Sequence, residues 1–531
     1  MNRMTHGEAF QWRGVNFWAH IKNWYEVHSL EDNQGLIKDM VAMGFNDLWI
    51  TLERGLVMNY LDPEIADDYS KQFWYKLREI GKTANHSGMR VTVLDEINTV
   101  FLDQYRDPDK SQYIAEGPKT YPSLKRPWQF CPSKPEAREI ILRNHEESFK
   151  EFPFIDALVL WPYDNGGCGC DSCQPWPKTF FELSKILADK LRAVHPRADI
   201  YLSTWDMTDD EKVIFTRILA EDKPRTFQGI VDKEWMLINI EEEQPIDYWT
   251  KIGLPEDYIR IPYIDLCQIG RWGWQCFTAN PYPVRFEKML ASLRKAGITQ
   301  FGSYSEDVHD DINKYLLARL GLSSKRSARE LIYEYCLNYF QAGIGEEIYK
   351  VTCMMEEEYS NKLQSPWVQK PVFDKEKARE MLFTLQQAEK RLPGYVVNGF
   401  RWQVLIKRAE ISWLLNEIGE MKAVENEIQD KFNKVLECSR VEAARDILRQ
   451  IIQLIEDKRR QFTILRNLID DFRSGVLGEP DDRSITILGA LESYFDWQKM
   501  LLAHEEKAFL ASRGLLIDRI QKIVRDGKGD S

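Results

Sequence analysis

Long apolar runs and blocks of basic residues are both missing from this chain of 531 residues. A helix that crosses a membrane needs about 20 consecutive apolar residues, and no stretch of even about 18 occurs, so a membrane span is excluded. Acidic side chains outnumber basic ones by 83 to 71, which gives a formal net charge of −12. Without a basic patch, the chain is not expected to bind nucleic acid, and polyanionic substrates are disfavoured as well.

Cysteine and histidine are also scarce, with nine and eight residues respectively. The N-terminal sequence has no apolar core between a basic start and a cleavage site, so it does not look like a secretory signal peptide. We therefore expect a cytoplasmic protein in a reducing compartment, where clustered cysteines bind metals more often than they form disulfides. The shortage of histidine leaves carboxylates as the main candidates for acid/base chemistry.

What is present is a regular alternation of short apolar runs with segments of helical period through the first 306 residues. Strands that alternate with helices predict a parallel sheet, and eight such units predict a (β/α)₈ TIM barrel of the α/β class. Residues 133–136 and 208–211 have the form of a capping box, and Gly44, Gly88 and Gly297 stand where a helix would end before a strand. The predicted strands are residues 12–17, 45–52, 89–96, 155–162, 198–206, 227–235, 259–266 and 298–306.

The pattern changes near Leu320, after which strand-like runs disappear and apolar residues recur at spacings of three and four. The sequence therefore predicts two domains, a catalytic barrel over residues 1–320 and an α-helical C-terminal domain over residues 321–531. The charged helix faces of this second domain are most simply solvated surface, and a homodimer formed through them is the alternative. The predicted helices are residues 378–392, 400–417, 424–438, 441–472 and 485–523.

The most informative segment runs from the predicted fourth strand into Asp164, Asn165, two glycines and the cysteine motif C-x-C-x-x-C. Three of the nine cysteines fall within six positions here, at Cys168, Cys170 and Cys173. Cys131 could supply a fourth thiolate if the loops after two neighbouring strands meet, and four thiolates would form a closed structural zinc site. The alternative is that these cysteines are small buried residues that pack a glycine-rich loop.

Carboxylates predominate where the predicted strands end, and in a barrel of this kind the loops at these ends converge on the active site. Clustered carboxylates favour glycoside hydrolysis, in which one carboxyl protonates the leaving oxygen while a second activates water, attacks the sugar or orients an attacking substrate group. Tryptophan and arginine at the same ends can hold sugar rings and hydroxyls. The predicted catalytic residues are Asp164, Asp206, Glu306 and Glu96. The predicted substrate-binding residues are Asn165, Trp205, Asp232, Glu234, Arg271, Trp274, Tyr304 and His20.

Residues 129–138 and 164–173, with a weaker match at 311–320, resemble the (β/α)₈ glycoside hydrolases grouped around families 20, 67 and 84. The resemblance is closer to bacterial proteins related to the family 163 endo-β-N-acetylglucosaminidases, and it covers roughly residues 10–350. It implies a barrel glycosidase that acts on a β-N-acetylhexosaminide or a related glycoside. In substrate-assisted hexosaminidases, a carboxylate pair at the fourth strand orients the acetamido group and protonates the leaving group. Here that pair would be Asp164 and Asn165, and asparagine cannot act as an acid.

Asn165 at this position leaves several functions open. The acid could come from another strand, with Glu96, Asp206 and Glu306 as the candidates. An inverting mechanism like that of the α-glucuronidases would use more widely separated carboxylates, and Arg271 could then bind a uronate. A sugar-binding barrel without catalytic activity is the alternative from a different class. A third alternative is a metal-dependent hydrolase or lyase in which the cysteines belong to the active site. The expected partner is an oligosaccharide or small glycoside, with no cofactor for catalysis and structural zinc as the only metal.

Overall fold

A computed structural model shows a closed barrel of eight parallel strands, which pair in chain order with β8 returning to β1. The structure describes residues 9–17, 29–117, 128–162, 167–205, 207–232, 253–255, 258–267, 281–305, 310–358, 374–419, 421–438 and 440–475. The strands are β1 Trp12–Phe17, β2 Asp47–Thr51, β3 Arg90–Glu96, β4 Ala157–Trp161, β5 Asp199–Ser203, β6 Gly229–Asp232, β7 Ile259–Cys267 and β8 Gln300–Ser305. Each overlaps one of the eight predicted strands, so the predicted TIM barrel is confirmed.

Helices alternate with the strands along the chain, and most of their predicted end signals are correct. Gly44, Gly88 and Gly297 all have positive φ before a strand, and Thr208 and Glu211 form the predicted capping box. The capping box predicted at residues 133–136 is wrong, because the Ser133 side chain caps nothing and its hydroxyl lies 2.9 Å from Cys131 Sγ. The longer helices of the barrel are α1 Leu30–Met43, α2 Asp68–His86, α3 Pro135–Glu151, α4 Trp176–Val194, α5 Asp209–Glu221, α6 Pro283–Lys295 and α7 Asp311–Leu322.

Inward-facing side chains from successive strands fill the barrel with an apolar and largely aromatic interior. Trp49 on β2 fits this interior because two glycines make room for its ring. A Cβ on Gly14 of β1 would lie 2.4 Å from Trp49 Nε1, and a Cβ on Gly302 of β8 would lie 2.4 Å from Trp49 Cη2. Asp47 fixes the indole by accepting a hydrogen bond from Nε1 at 2.9 Å. Both glycines are therefore required by the tryptophan that they face.

Gly302→Ala should lower the free energy of unfolding by about 1–3 kcal/mol, because the added methyl group overlaps a ring that the barrel holds in place. Urea unfolding followed by tryptophan fluorescence would measure the change. Gly35→Ala in α1 is the matched control, since a Cβ there has no neighbouring atom within 4 Å. Alanine in a helix should raise stability by about 0.5–1 kcal/mol. Equal stabilities of Gly302→Ala and the native protein would contradict this account of the interior.

Most described residues of a second compact unit lie from Ile332 onward, and helices are the regular elements described there. The barrel unit extends to Leu331, whereas the predicted boundary after residue 320 falls within α7. The longer helices after α7 are α8 Ala328–Tyr335, α9 Gly345–Glu357, α10 Lys375–Glu389, α11 Phe400–Ile418, α12 Met421–Glu437 and α13 Val441–Gly475. These confirm the helical C-terminal region, and the helix predicted at residues 485–523 lies outside the described residues. Among the described helices, none is both long and apolar enough to cross a bilayer.

Candidate active site at the carboxyl ends of the barrel strands

The eight parallel strands bring their carboxyl ends to one rim of the barrel, where the sequence predicts the active site. The described residues include Glu96, Trp205, Asp232, Tyr304 and the four predicted metal-binding cysteines. The other predicted site residues lie outside the described ranges: Asp164, Asn165, Asp206, Glu234, Arg271, Trp274, Glu306 and His20. Three of these, Asp164, Asp206 and Glu306, come within three residues of the ends of β4, β5 and β8, so the strands that precede them are as predicted.

Glu96 is the last residue of β3 and lies on the inner face of the barrel. Leu94, two residues earlier, belongs to the interior cluster, and side chains two residues apart on a strand point to the same side. The Glu96 carboxylate accepts a hydrogen bond from the Thr99 hydroxyl, and Glu96 is in register with Trp161, the last residue of β4. Because it is partly exposed at a strand end, this carboxylate can reach a ligand in the barrel mouth.

Four aromatic rings of the interior cluster form what we call the aromatic floor: Trp161, Trp205, Tyr263 and Tyr304. The Trp161 ring centroid lies 5.4 Å from that of Trp205 and 6.4 Å from that of Tyr263. The Tyr263 centroid in turn lies 6.1 Å from that of Tyr304. Trp205 and Tyr304, which the sequence predicts as substrate contacts, each keep 7% of their surface exposed. Both are therefore part of the barrel interior and offer little surface to a ligand.

Asn16 on β1 is a buried polar residue that the sequence did not single out. Its Nδ2 donates to the Tyr263 hydroxyl at 2.7 Å, whereas its Oδ1 is buried with no hydrogen-bond partner in the described part of the chain. A buried amide oxygen left unpaired costs about 1–3 kcal/mol, so an atom of this kind marks a place where water or a ligand group would bind. A single asparagine within an apolar strand carries no sequence signal for this role.

Two residues of the loops after β2 and β3 have a left-handed backbone that non-glycine residues rarely adopt: Glu53 with φ 45° and Trp128 with φ 66°. Gly55 allows the Trp128 side chain to approach this turn, because a Cβ there would lie 2.8 Å from Trp128 Cβ. The Thr51 hydroxyl donates to Glu53 Oε1 at 2.5 Å. Backbone conformations of this kind cost about 1–3 kcal/mol each and cluster at active sites. Glu53 is therefore a further carboxylate at this rim.

Asp232 ends β6 and faces away from the barrel interior, because its neighbour Val231 belongs to the interior cluster. It is fully buried, and its Oδ2 lies 3.5 Å from Nε of Arg260 on β7. These surroundings describe an ion pair between neighbouring strands. The predicted role of Asp232 in substrate binding stays a prediction.

A buried ionic cluster of Arg54, Asp95 and His145 lies beside Glu96. Both terminal nitrogens of Arg54 donate to the Asp95 carboxylate, Nη2 at 3.1 Å, and His145 Nε2 on α3 lies 3.4 Å from Asp95 Oδ2. Burial lowers the pKa of His145 to about 4, because its effect exceeds that of the Asp95 charge, which raises the pKa. The imidazole is therefore neutral at pH 7. Because Asp95 precedes Glu96 in β3, the cluster also fixes the backbone from which Glu96 projects.

His145 should make the protein less stable as the pH falls from 6.5 to about 4. In this range the unfolded chain binds a proton that native His145 excludes, so the free energy of unfolding drops by on the order of 3 kcal/mol. Urea midpoints measured at a series of pH values should show a flatter dependence for His145→Gln. His86→Gln, at the exposed end of α2, should keep the native dependence. Parallel curves for His145→Gln and the native protein would contradict the neutral buried imidazole.

The four predicted metal-binding cysteines come together near the same rim, and their Sγ atoms all lie within 4.8 Å of one another. Cys131 precedes α3, and the other three belong to the loop between β4 and α4. Hydrogen bonds from the Cys168 and Cys173 thiols hold the pKa of Cys131 far below its usual range, and the contact with Cys131 raises the pKa of Cys168. The loops after two neighbouring strands thus meet, which is the geometry that a shared site requires.

No family model matches the sequence, and no curated protein sequence matches it. Among solved structures, the protein is similar to a GH138 enzyme targeting pectin rhamnogalacturonan II, with a TM-score of 0.55 and 10% identity over 99% of this chain and 69% of that chain. It is also similar to CpGH84B, with a TM-score of 0.48 and 11% identity over 87% of this chain and 77% of the other. A third similar structure is an α-amylase from Geobacillus thermoleovorans complexed with acarbose, with a TM-score of 0.37 and 13% identity over 59% and 79% of the two chains.

These likenesses bear on the fold alone. The GH138 enzyme, a glycoside hydrolase, shares the overall fold of this protein. The TM-scores of the other two structures are below 0.5, and nothing is concluded from them. The resemblance to families 20, 67, 84 and 163 therefore stays a prediction.

Proposed function

We propose that this protein is a glycoside hydrolase that cleaves a β-N-acetylhexosaminide or a related glycoside by carboxylate acid/base chemistry. The observation that carries the proposal is the Glu96 carboxylate, which faces the barrel mouth beside the aromatic floor. A carboxyl group so placed can protonate a glycosidic oxygen, and aromatic side chains can pack against the apolar face of a sugar. The fold shared with a GH138 enzyme supports the proposal by analogy.

In this proposal Asp164 and Glu96 are the catalytic pair. Asp164 acts at the anomeric centre, either directly or by orienting the acetamido group of the substrate, while Glu96 gives its proton to the leaving oxygen as the glycosidic bond breaks. Water then adds to the anomeric carbon and returns a proton to Glu96. The choice of Glu96 as the partner of Asp164 is supported by strand register. Glu96 pairs with Trp161 on the neighbouring strand, and Asp164 follows Trp161 by three residues in the chain. Asp206 and Glu306 are the alternative acids.

The remaining predicted substrate contacts complete the proposed site. Their side chains are of the types that hold sugar hydroxyls, rings and, for arginine, a carboxylate substituent. They are Asn165, Glu234, Arg271, Trp274 and His20.

The test is hydrolysis of a panel of aryl α- and β-glycosides that includes N-acetylglucosaminide, N-acetylgalactosaminide, glucuronide, galactoside and fucoside. We expect release from one member of the panel and a loss of about 10²- to 10⁴-fold in kcat for Asp164→Asn. Asp171→Asn, an exposed position of the loop after β4, is the control and should keep full activity.

Tight sugar binding without product, after prolonged incubation with aryl glycosides and with oligosaccharides, would overturn the proposal. It would favour a sugar-binding barrel, the function that Asn165 suggests because it stands where a second acid is expected. Isothermal titration with the free sugars would detect such binding.

A further inference from the structure

Cys131, Cys168, Cys170 and Cys173 have the geometry of a tetrahedral metal site. The Cys131 Sγ lies 3.6 Å from that of Cys170 and 3.7 Å from that of Cys173. Thiolates bound to one zinc ion at about 2.3 Å stand about 3.8 Å apart along a tetrahedron edge, close to both separations. A disulfide would bring two sulfurs to about 2.0 Å, so none of these contacts is a covalent bond. We propose that the four cysteines bind one zinc ion as a closed structural site.

Burial and charge favour a cation at this point. Cys131, Cys168 and Cys173 have at most 1% of their surface exposed, and Cys170 is half-buried. Four thiolates within 4.8 Å of one another would repel strongly, and a divalent cation among them removes that repulsion. The Ser133 hydroxyl, 2.9 Å from Cys131 Sγ and 3.7 Å from Cys170 Sγ, can donate to a ligating sulfur and orient it.

Each of the two loops that carry the cysteines contains a tight turn at its cysteines, and these turns direct the sulfur atoms toward one another. Cys173 N–H donates to the Cys170 carbonyl at 3.0 Å within a short 3₁₀ turn, and Lys134 N–H donates to the Cys131 carbonyl at 3.2 Å. Direct backbone contacts already join the loops, because Gly169 N–H donates to the Glu116 carbonyl at 2.9 Å. One loop thus supplies Cys131 and the other supplies Cys168, Cys170 and Cys173.

The ligand set selects the metal and its role. Four thiolates with no water position describe a structural site, because catalytic zinc keeps one position open. Soft sulfur ligands exclude magnesium and calcium and favour zinc, with iron as the competing ion for a tetrahedral set of sulfurs. An ion here would cross-link the loop after β3 to the loop after β4. Its ligands Cys131 and Cys173 stand four residues before the start of α3 and three before the start of α4. It would therefore stabilise the rim of the barrel, whatever reaction takes place there.

Metal analysis of the full-length protein, purified with a reductant and without chelator, tests the proposal directly. We expect about one zinc per chain. Cys168→Ser/Cys170→Ser should reduce the bound zinc by at least about tenfold, because two of the four thiolates are lost. Cys353→Ser changes a half-buried cysteine outside the cluster and should retain the native zinc content.

A second measurement on the native protein keeps the proposal falsifiable if the double variant does not fold. Removal of the metal should lower the melting temperature of the native protein, and zinc but not magnesium should restore it. Cobalt added to the metal-free protein should give the charge-transfer and visible absorption bands of tetrahedral thiolate coordination. Folded native protein that contains no zinc and takes up neither zinc nor cobalt would overturn the site. Stoichiometric iron in place of zinc would overturn the choice of metal. None of these outcomes depends on glycosidase activity.

Discussion

Glu96→Gln should lower kcat for the substrate found with the glycoside panel by about 10²- to 10⁴-fold, with a much smaller change in KM. Glutamine keeps the size of the side chain and can still accept the hydrogen bond from Thr99, but it cannot give a proton to a leaving oxygen. The loss should be smaller for aryl glycosides with acidic leaving groups, because these need less protonation. Initial rates across a series of substituted aryl glycosides would measure both effects.

Glu116→Gln is the matched control for this variant. Glu116 is an exposed residue of the loop after β3, so the same change of charge there should leave kcat unchanged. Full activity of Glu96→Gln, together with an inactive Asp164→Asn, would remove Glu96 from the mechanism. The acid would then be sought at Asp206 and Glu306.

Arg54→Met should lower the free energy of unfolding by about 3–5 kcal/mol. The substitution leaves the Asp95 carboxylate buried without its cation, beside an imidazole that is neutral at pH 7. Equilibrium urea unfolding at pH 7 would measure the change. Arg54→Met/Asp95→Leu should recover much of the loss, because replacing both charges with apolar groups leaves no buried ion unpaired.

Glu79→Gln provides the comparison at a solvent-exposed ion pair. Glu79 Oε1 lies 2.5 Å from Lys82 Nζ on α2, and both side chains are partly exposed. Water screens such a pair, so the expected change in the free energy of unfolding is below about 1 kcal/mol. Similar losses for Arg54→Met and Glu79→Gln would show that burial does not determine the strength of the Arg54–Asp95 pair.

The order of elements and the fold follow from local features that the sequence contains by itself. Apolar runs of strand length, separated by helical periods and glycine stops, predict eight strands, and β1 has the same bounds in the structure as in the sequence prediction. The Thr208 capping box is correct for the same reason, because its hydrogen bonds span only three residues. The cysteine motif is local as well, since three of its four cysteines fall within six positions and their spacing alone indicates a shared site.

The environment of each rim residue depends on contacts between segments far apart in the chain, and only the tertiary structure decided these. Ser133 and Glu136 have the residue types of a capping box, yet the Ser133 hydroxyl lies 2.9 Å from Sγ of Cys131 in its own loop and 3.7 Å from Sγ of Cys170, which a neighbouring loop brings to it. Asp232 and Glu96 are both carboxylates at strand ends, but strand alternation turns one outward to Arg260 and the other inward. Sequence gives the periodicity of a strand, whereas barrel closure determines which of its faces meets the site.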